Sequence, residues 1–439
     1  MTDLHYGSIV IIYSQFAQKQ ARINLQKTTT NPIISMAEAQ ASWSQMKHRP
    51  AARSNVINPI RQILEKELRV NPNHEKSHVG LGLGEPSRAN GFELPPVINQ
   101  AIIEAVESEK HNGYTGSTGT VAARTAVSEK FSTEDHPIDP NNVFLAFGCS
   151  GALYNAIAVL CEVGDRILVP KPGFPLCQPI CQNLNVEFDQ YNLLPDEGWK
   201  IDLNHLRSQI TERTRAILIN NPSNPCGSCF TAEHIQEILA VADEFKIPII
   251  SDEVYYGLSY DPERPFISMG QSTSTVPVIC TGAISKIYCL PGWRCGWTIV
   301  YNNGGYFDDV LTRLNMHSMI QLHPNSLVQQ ALPRILSEVP DSHFETMKQK
   351  LSASSQAAFT RLSTIRGVTP IRSSAAMYMM VRIDFDEFEG IENDVDFCKK
   401  LLTEQNCLTF PSQCFFEEGF FRMILCTTEA TINEFGERL

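Results

Sequence analysis

The chain lacks a membrane-spanning run: the apolar residues 8–13 fall far short of the ~20 residues that a spanning helix needs. No basic stretch precedes them, so they do not read as a secretory signal. A dense basic patch is missing too, and the formal net charge of −12 argues against a nucleic-acid surface. That balance says little about a small substrate, because one arginine in a cleft decides its preferred charge locally. The cysteines have no scaffold pattern. There are 13, an odd number scattered through predicted core elements, which indicates reduced thiols in a cytoplasmic setting. Cys226 and Cys229 form a lone C-x-x-C with no second pair and no histidines at zinc spacing, so a metal role is set aside. Acidic residues are absent from 5 to 37, where Lys19, Arg22 and Lys27 occur. That composition faintly suggests a mitochondrial transit segment, but residues 1–55 read first as a flexible N-terminal extension. Internal repeats, coiled-coil heptads and low-complexity tracts are also lacking.

What is there is an ordinary globular composition, with 43% hydrophobic and 19% charged residues over 439 positions. That length allows a large core and two domains. Order begins near Asn58-Pro59-Ile60-Arg61, which opens a short amphipathic helix reaching about Leu68. A short strand at 79–83 runs into a glycine-rich turn at Gly84, and helices are predicted over 96–110 and 121–131. Strand and helix then alternate. Strands fall at 143–147, 166–169, 216–219, 248–251 and 276–280, with helices near 152–161 and 232–245. Nearly continuous apolar strands separated by helices predict an α/β fold, a mostly parallel sheet covered by helices on both faces. Beyond about 326, long helical stretches mix with strands at 377–381 and 421–425, which predicts a smaller α+β domain. The expected division is an extension to 55, a segment 56–90 that joins the small domain, a large domain 91–325, and the small domain 326–439.

The richest stretch is Ala283-Ile284-Ser285-Lys286, followed by Pro291-Gly292-Trp293-Arg294. A lysine delivered from a buried strand, with an arginine eight positions on, suits an enzyme that uses pyridoxal phosphate. Lys286 would form the Schiff base and act as general acid–base, while Arg294 could hold the cofactor phosphate. The cofactor's ring nitrogen needs a carboxylate. Asp252 ends an apolar strand where open α/β sheets bind ligands, with Glu253 as its competitor. The phenolic oxygen needs donors, and Asn221 or Tyr255 could supply them from the same rim. Gly148-Cys149-Ser150-Gly151 joins a strand to a helix, so its amides and the Ser150 hydroxyl can face an anion. Phe174 could stack on the pyridine ring, though an ordinary core phenylalanine reads almost as well. Arg422, a charge inside an apolar strand, is placed to fork a substrate carboxylate.

Together these residues resemble the fold-type I, aspartate-aminotransferase-like family of pyridoxal phosphate enzymes, and its aromatic branch in particular. The resemblance runs from about Asn58 to Glu429 and includes Tyr191-Asn192-Leu193-Leu194-Pro195, Asn220 to Gly227 and Ala376-Met377-Tyr378. It implies a homodimer with active sites at the interface, and ping-pong transfer of an amino group from an aromatic amino acid, tyrosine first, to an oxo acid such as 2-oxoglutarate. It also implies Lys286 as the Schiff-base lysine, Asp252 as pyridinium partner, and Asn221 and Tyr255 on the phenolic oxygen. Phe174 matches the stacking position, Cys149, Ser150 and Arg294 the phosphate contacts, and Arg422 with Asn221 and Gly84 the substrate side. Tyr114 matches a tyrosine lent to the neighbouring subunit's phosphate. Three features depart from the family. Ala283 stands where a hydroxyl is common, the loop 85–90 differs near the substrate entrance, and the chain stops at Leu439, early for the last helix. The same site would also serve an alanine or kynurenine aminotransferase or a carbon–sulfur β-lyase.

Overall fold

The computed structural model describes residues 55–87 and 92–439. The expected N-terminal extension, apart from residue 55, and residues 88–90 of the entrance loop lie outside the described residues.

An eight-stranded sheet organises the larger part of the chain. In chain order its strands are β1 (Val143–Phe147), β2 (Arg166–Lys171), β3 (Glu187–Leu194), β4 (Lys200–Ile201), β5 (Thr214–Asn220), β6 (Ile249–Asp252), β7 (Val278–Ala283) and β8 (Cys295–Tyr301). The spatial order is β1-β8-β7-β6-β5-β2-β3-β4. Only β8 and the short β4 run against the rest. Strands β5 to β7 are almost wholly buried, because helices cover both faces and leave no face for polar side chains. Strand β3 reads Glu-Phe-Asp-Gln-Tyr-Asn-Leu-Leu and lies near the sheet's edge. The sequence reading gave it no element, since it lacks the continuous apolar run of the central strands.

The helices start where side chains can cap them. Thr120 accepts from the Ala123 amide and Thr231 from the His234 amide, opening the helices Val121–Phe131 and Ala232–Phe245. Asn58 does the same for Arg61 ahead of the helix Pro59–Lys66, with proline at its first position.

A second sheet is fully antiparallel: β9 (Val368–Pro370), β10 (Tyr378–Ile383), β11 (Phe410–Pro411) and β12 (Phe420–Ile424), in the order β9-β10-β12-β11. Val79–Gly80 pairs with Cys407–Leu408, so the chain's early segment joins its C-terminal part. The helix Ser326–Glu338, which the sequence reading grouped with that C-terminal part, turns the other way. Its Arg334 pairs with Glu104 at 2.7 Å, and its Gln329 accepts from the Thr120 amide at 2.7 Å.

Candidate active site

The carboxyl ends of β5, β6 and β7 converge on a cavity of about 320 Å³ lined by Asn220, Asp252, Tyr255, Ser285 and Lys286. Here the central strands end while their side chains still face inward. From the helix Gly148–Leu160 come Cys149 and Ser150; from the second sheet come Tyr378, Phe410 and Arg422. Gly84, Phe174 and Arg294 complete the expected lining. The structure thus brings together Lys286, Asp252, Tyr255, Cys149, Ser150, Phe174, Arg294, Arg422 and Gly84 around one space.

Lys286 donates from Nζ to the carbonyl of Gly84 at 2.5 Å. Asp252 is buried, and both of its side-chain hydrogen bonds fall on Oδ1, from the Cys149 thiol and the Val254 amide, each at 3.2 Å. Burial pushes its carboxyl up to about 6, against the pull of those donors and of Lys286. The adjacent Glu253 lies on the opposite side of β6's end. It accepts from Ser251, Ser268 and the Met269 amide at 3.0, 2.8 and 2.9 Å, and burial pushes it up to about 7. The competition between the two carboxylates is decided by strand alternation: Asp252 faces the cavity and Glu253 a closed hydrogen-bonded network.

Arg422 is 2% exposed, and no carboxylate pairs with it among the described residues. Its Nη1 donates to Asn224 Oδ1 at 2.8 Å and its Nη2 to the Gly82 carbonyl, while Nε has no partner among the described residues. The rings of Tyr378, Phe415 and Phe410 surround the guanidinium at 4.4, 4.6 and 5.2 Å. A buried cation held by neutral partners is short of one anion. Among the described residues Arg294 is likewise held only by carbonyls, of Pro291 at 2.9 Å and Phe147 at 3.2 Å. Gly148 has φ +69°, and a Cβ there would lie 2.6 Å from Arg294 Nη2. Only glycine lets the helix start and the guanidinium approach this closely.

One sequence expectation meets a different arrangement. Asn221 does not line the cavity. Its amide continues the sheet by donating to Asp252 O at 3.2 Å, and its Oδ1 accepts from the Phe230 amide at 2.9 Å. The following turn presents Asn224 instead, the second asparagine of the same Asn-Pro repeat. Tyr114 is 90% exposed and outside the cavity of its own chain, its ring centroid 6.1 Å from that of His323. Ala283 closes β7 as a buried residue, and a hydroxyl reaches the cavity from Ser285. The sequence reading missed Tyr378, Asn58 and Arg61 as cavity residues. All three lay in stretches it noted for their family resemblance, which was the available signal.

Pyridoxal phosphate fits this donor set. A glycine-opened helix start faces Arg294 for a phosphate, a buried carboxylate awaits a ring N–H, and a lysine amine points into the same space. Comparison with known proteins points the same way. The family described as aminotransferase class I and II matches residues 76–439. Tyrosine aminotransferase of Mus musculus is 35% identical over 402 residues, 91% of this chain and 87% of that protein. Tyrosine aminotransferase of Dictyostelium discoideum is 37% identical over 406 residues, 91% of this chain and 96% of that one. Among solved structures, the tyrosine aminotransferase of Leishmania infantum superposes with a TM-score of 0.84 at 28% identity, covering 90% of this chain and 97% of that one.

Proposed function

The chain belongs to the class I and II aminotransferases, and from that membership we propose that it is a pyridoxal phosphate-dependent aromatic aminotransferase whose first substrate is tyrosine. The observation that carries the reading is the buried Arg422 without an acid partner, facing Lys286 and Asp252 across one cavity. It is built to receive a carboxylate beside a lysine amine. Bound here, pyridoxal phosphate supplies the electron sink that allows the substrate Cα–H bond to break, and carries the amino group between two half-reactions.

The chain's residues would divide the work. Arg294, Ser150 and the amides at the start of the helix Gly148–Leu160 hold the phosphate. Asp252 keeps a proton on the ring nitrogen, Phe174 packs on the ring, and Tyr255 and Asn224 serve the phenolic oxygen. Arg422 orients the α-carboxylate, so that Lys286 Nζ can take the proton from substrate Cα and return it on the other side of the transfer. Arg61 lines the same cavity with no ion pair among the described residues. With the other cations each matched to a group, it is spare for the distal carboxylate of a dicarboxylic acceptor such as 2-oxoglutarate.

The curated relatives favour aromatic substrates over the alanine, kynurenine and carbon–sulfur alternatives. A homodimer is supported by the apolar side chains Tyr114, Met316, Met319 and Ile320, all exposed in the isolated chain. A cytoplasmic location is supported by 13 cysteines that are all unpaired and buried. No helix among the described residues is long and apolar enough to cross a membrane.

The test is the visible spectrum of the cofactor-loaded protein, read before and after L-tyrosine with no oxo acid present. We expect the cofactor band to disappear as 4-hydroxyphenylpyruvate is released, and to return on adding 2-oxoglutarate. A band that ignores tyrosine removes the aromatic substrate, and wild-type turnover in Lys286→Ala removes the mechanism.

A further inference from the structure

Tyr378 belongs to the second sheet, yet its hydroxyl lies 2.7 Å from that of Tyr255, beyond the end of β6 in the first. The two rings meet edge to face at 5.8 Å and 89°, and each side chain is 2% exposed. Among the described residues neither hydroxyl has another hydrogen-bond partner. The face of the Tyr378 ring carries the Arg422 guanidinium at 4.4 Å. One side chain therefore touches both the arginine proposed to receive the substrate carboxylate and the tyrosine proposed to serve the cofactor's phenolic oxygen.

Resting on the proposed function, the geometry points to Tyr378 as a positioning residue that donates its proton to Tyr255, so that the proton of Tyr255 is directed to the cofactor's phenolic oxygen. Each phenol has one proton to give. If Tyr255 gave its own to Tyr378, nothing would remain for the cofactor, and the Tyr378 proton would have no acceptor in its buried surroundings. The opposite direction satisfies both groups and forms a chain in which each bond polarises the next. Arg422 above the ring draws electron density from the Tyr378 phenol and makes it the better donor. A carboxylate bound at Arg422 cancels part of that pull. Occupation of the substrate site is thus transmitted, through one ring, to the hydrogen bond on the cofactor. Burial pushes the Tyr255 phenol well above its ordinary value, so it keeps a proton to direct at the cofactor across the working range. The charged groups facing the pair are Arg422, Asp252 and Lys286, and all three remain in the variants below.

The experiment is a pH titration of the bound cofactor's visible band in wild type, Tyr378→Phe, Tyr255→Phe and the double variant. A donor aimed at the phenolic oxygen stabilises its anionic form, so weakening that donor moves the midpoint to higher pH. Tyr378→Phe should raise it by about half to one pH unit, the size of one neutral hydrogen bond. Tyr255→Phe should raise it further, and the double variant should match Tyr255→Phe alone, because Tyr378 acts only through Tyr255. An inert carboxylate, 3-phenylpropanoate, should move the wild-type midpoint upward and that of Tyr378→Phe by less. If Tyr378→Phe does not accumulate as folded protein, 3-fluorotyrosine placed at 378 carries the same test with the opposite sign. Its more acidic hydroxyl should lower the midpoint. An unchanged midpoint in Tyr378→Phe, or additive shifts in the double variant, would overturn the inference while leaving the proposed function standing. A protein that forms no visible band with pyridoxal phosphate would overturn both.

Discussion

Asp252 holds a charge that the folded chain on its own disfavours. It is 5% exposed, makes no ion pair among the described residues, and titrates at about 6, against 3.8 as the ordinary value. A carboxyl raised in this way binds its proton more tightly folded than unfolded. Its unfavourable contribution is absent below pH ~4 and grows as pH rises to ~6. Asp252→Asn should therefore stabilise the cofactor-free protein at pH 7.5 by roughly 1–3 kcal/mol. The gain should fade toward pH 4, and turnover should be lost, since no charge remains to hold a proton on the cofactor ring. Thermal unfolding of both proteins across that range checks it; a gain independent of pH would contradict it. Asp252 was legible in the sequence because a charge ending an apolar strand stands out. Asn224 was not, because two Asn-Pro steps follow one another, and only the turn between them determines which asparagine faces inward. Tyr378 was illegible for a similar reason: a tyrosine opening an apolar strand reads as core until its partner across the sheets is known.

The junction of β1 and the following helix shows what a single element contributes. Phe147 ends the strand, Gly148 turns at φ +69°, and Arg294 closes on that turn from the start of β8. Alanine at 148 would pay ~1–2 kcal/mol for the left-handed conformation and also press its Cβ against the guanidinium. Gly148→Ala should lower pyridoxal phosphate affinity at least ~10-fold, because amides and arginine are displaced together, while apoprotein stability falls by only about 1–2 kcal/mol. Equilibrium dialysis against the cofactor reads the first effect and denaturant unfolding the second; unaltered affinity would remove this junction from the phosphate site. Elements with one dominant period were legible: the buried strands β5 to β7 and the capped helices at 121–131 and 232–245. Strand β3 was not, since only Tyr191 and Leu193 are buried along it and its pairing with β2 is a long-range choice that no local pattern records.

At the scale of the whole molecule, the helix Ser326–Glu338 binds to Glu104 and Thr120 rather than to the second sheet. We accordingly propose that the hinge between the two parts lies after it, and that residues 56–87 move with the C-terminal part through the pairing of Val79 with Cys407. The remaining question is how Tyr114, exposed and outside the lining of its own cavity, could reach a phosphate. In a twofold dimer it would enter the partner's site, and this arrangement has a consequence that a single-chain role cannot reproduce. Lys286→Ala leaves Tyr114 intact, and Tyr114→Ala leaves Lys286 intact. When the two proteins are unfolded and refolded together, each mixed dimer contains one site with both residues and one with neither. At limiting cofactor, random pairing should restore about a quarter of wild-type activity, since half of the dimers are mixed and each holds one complete site. If Tyr114 acts within its own chain, mixing yields no more than the average of the two separate proteins. The same outcome follows if it does not act at all, so activity above that average places Tyr114 across the interface.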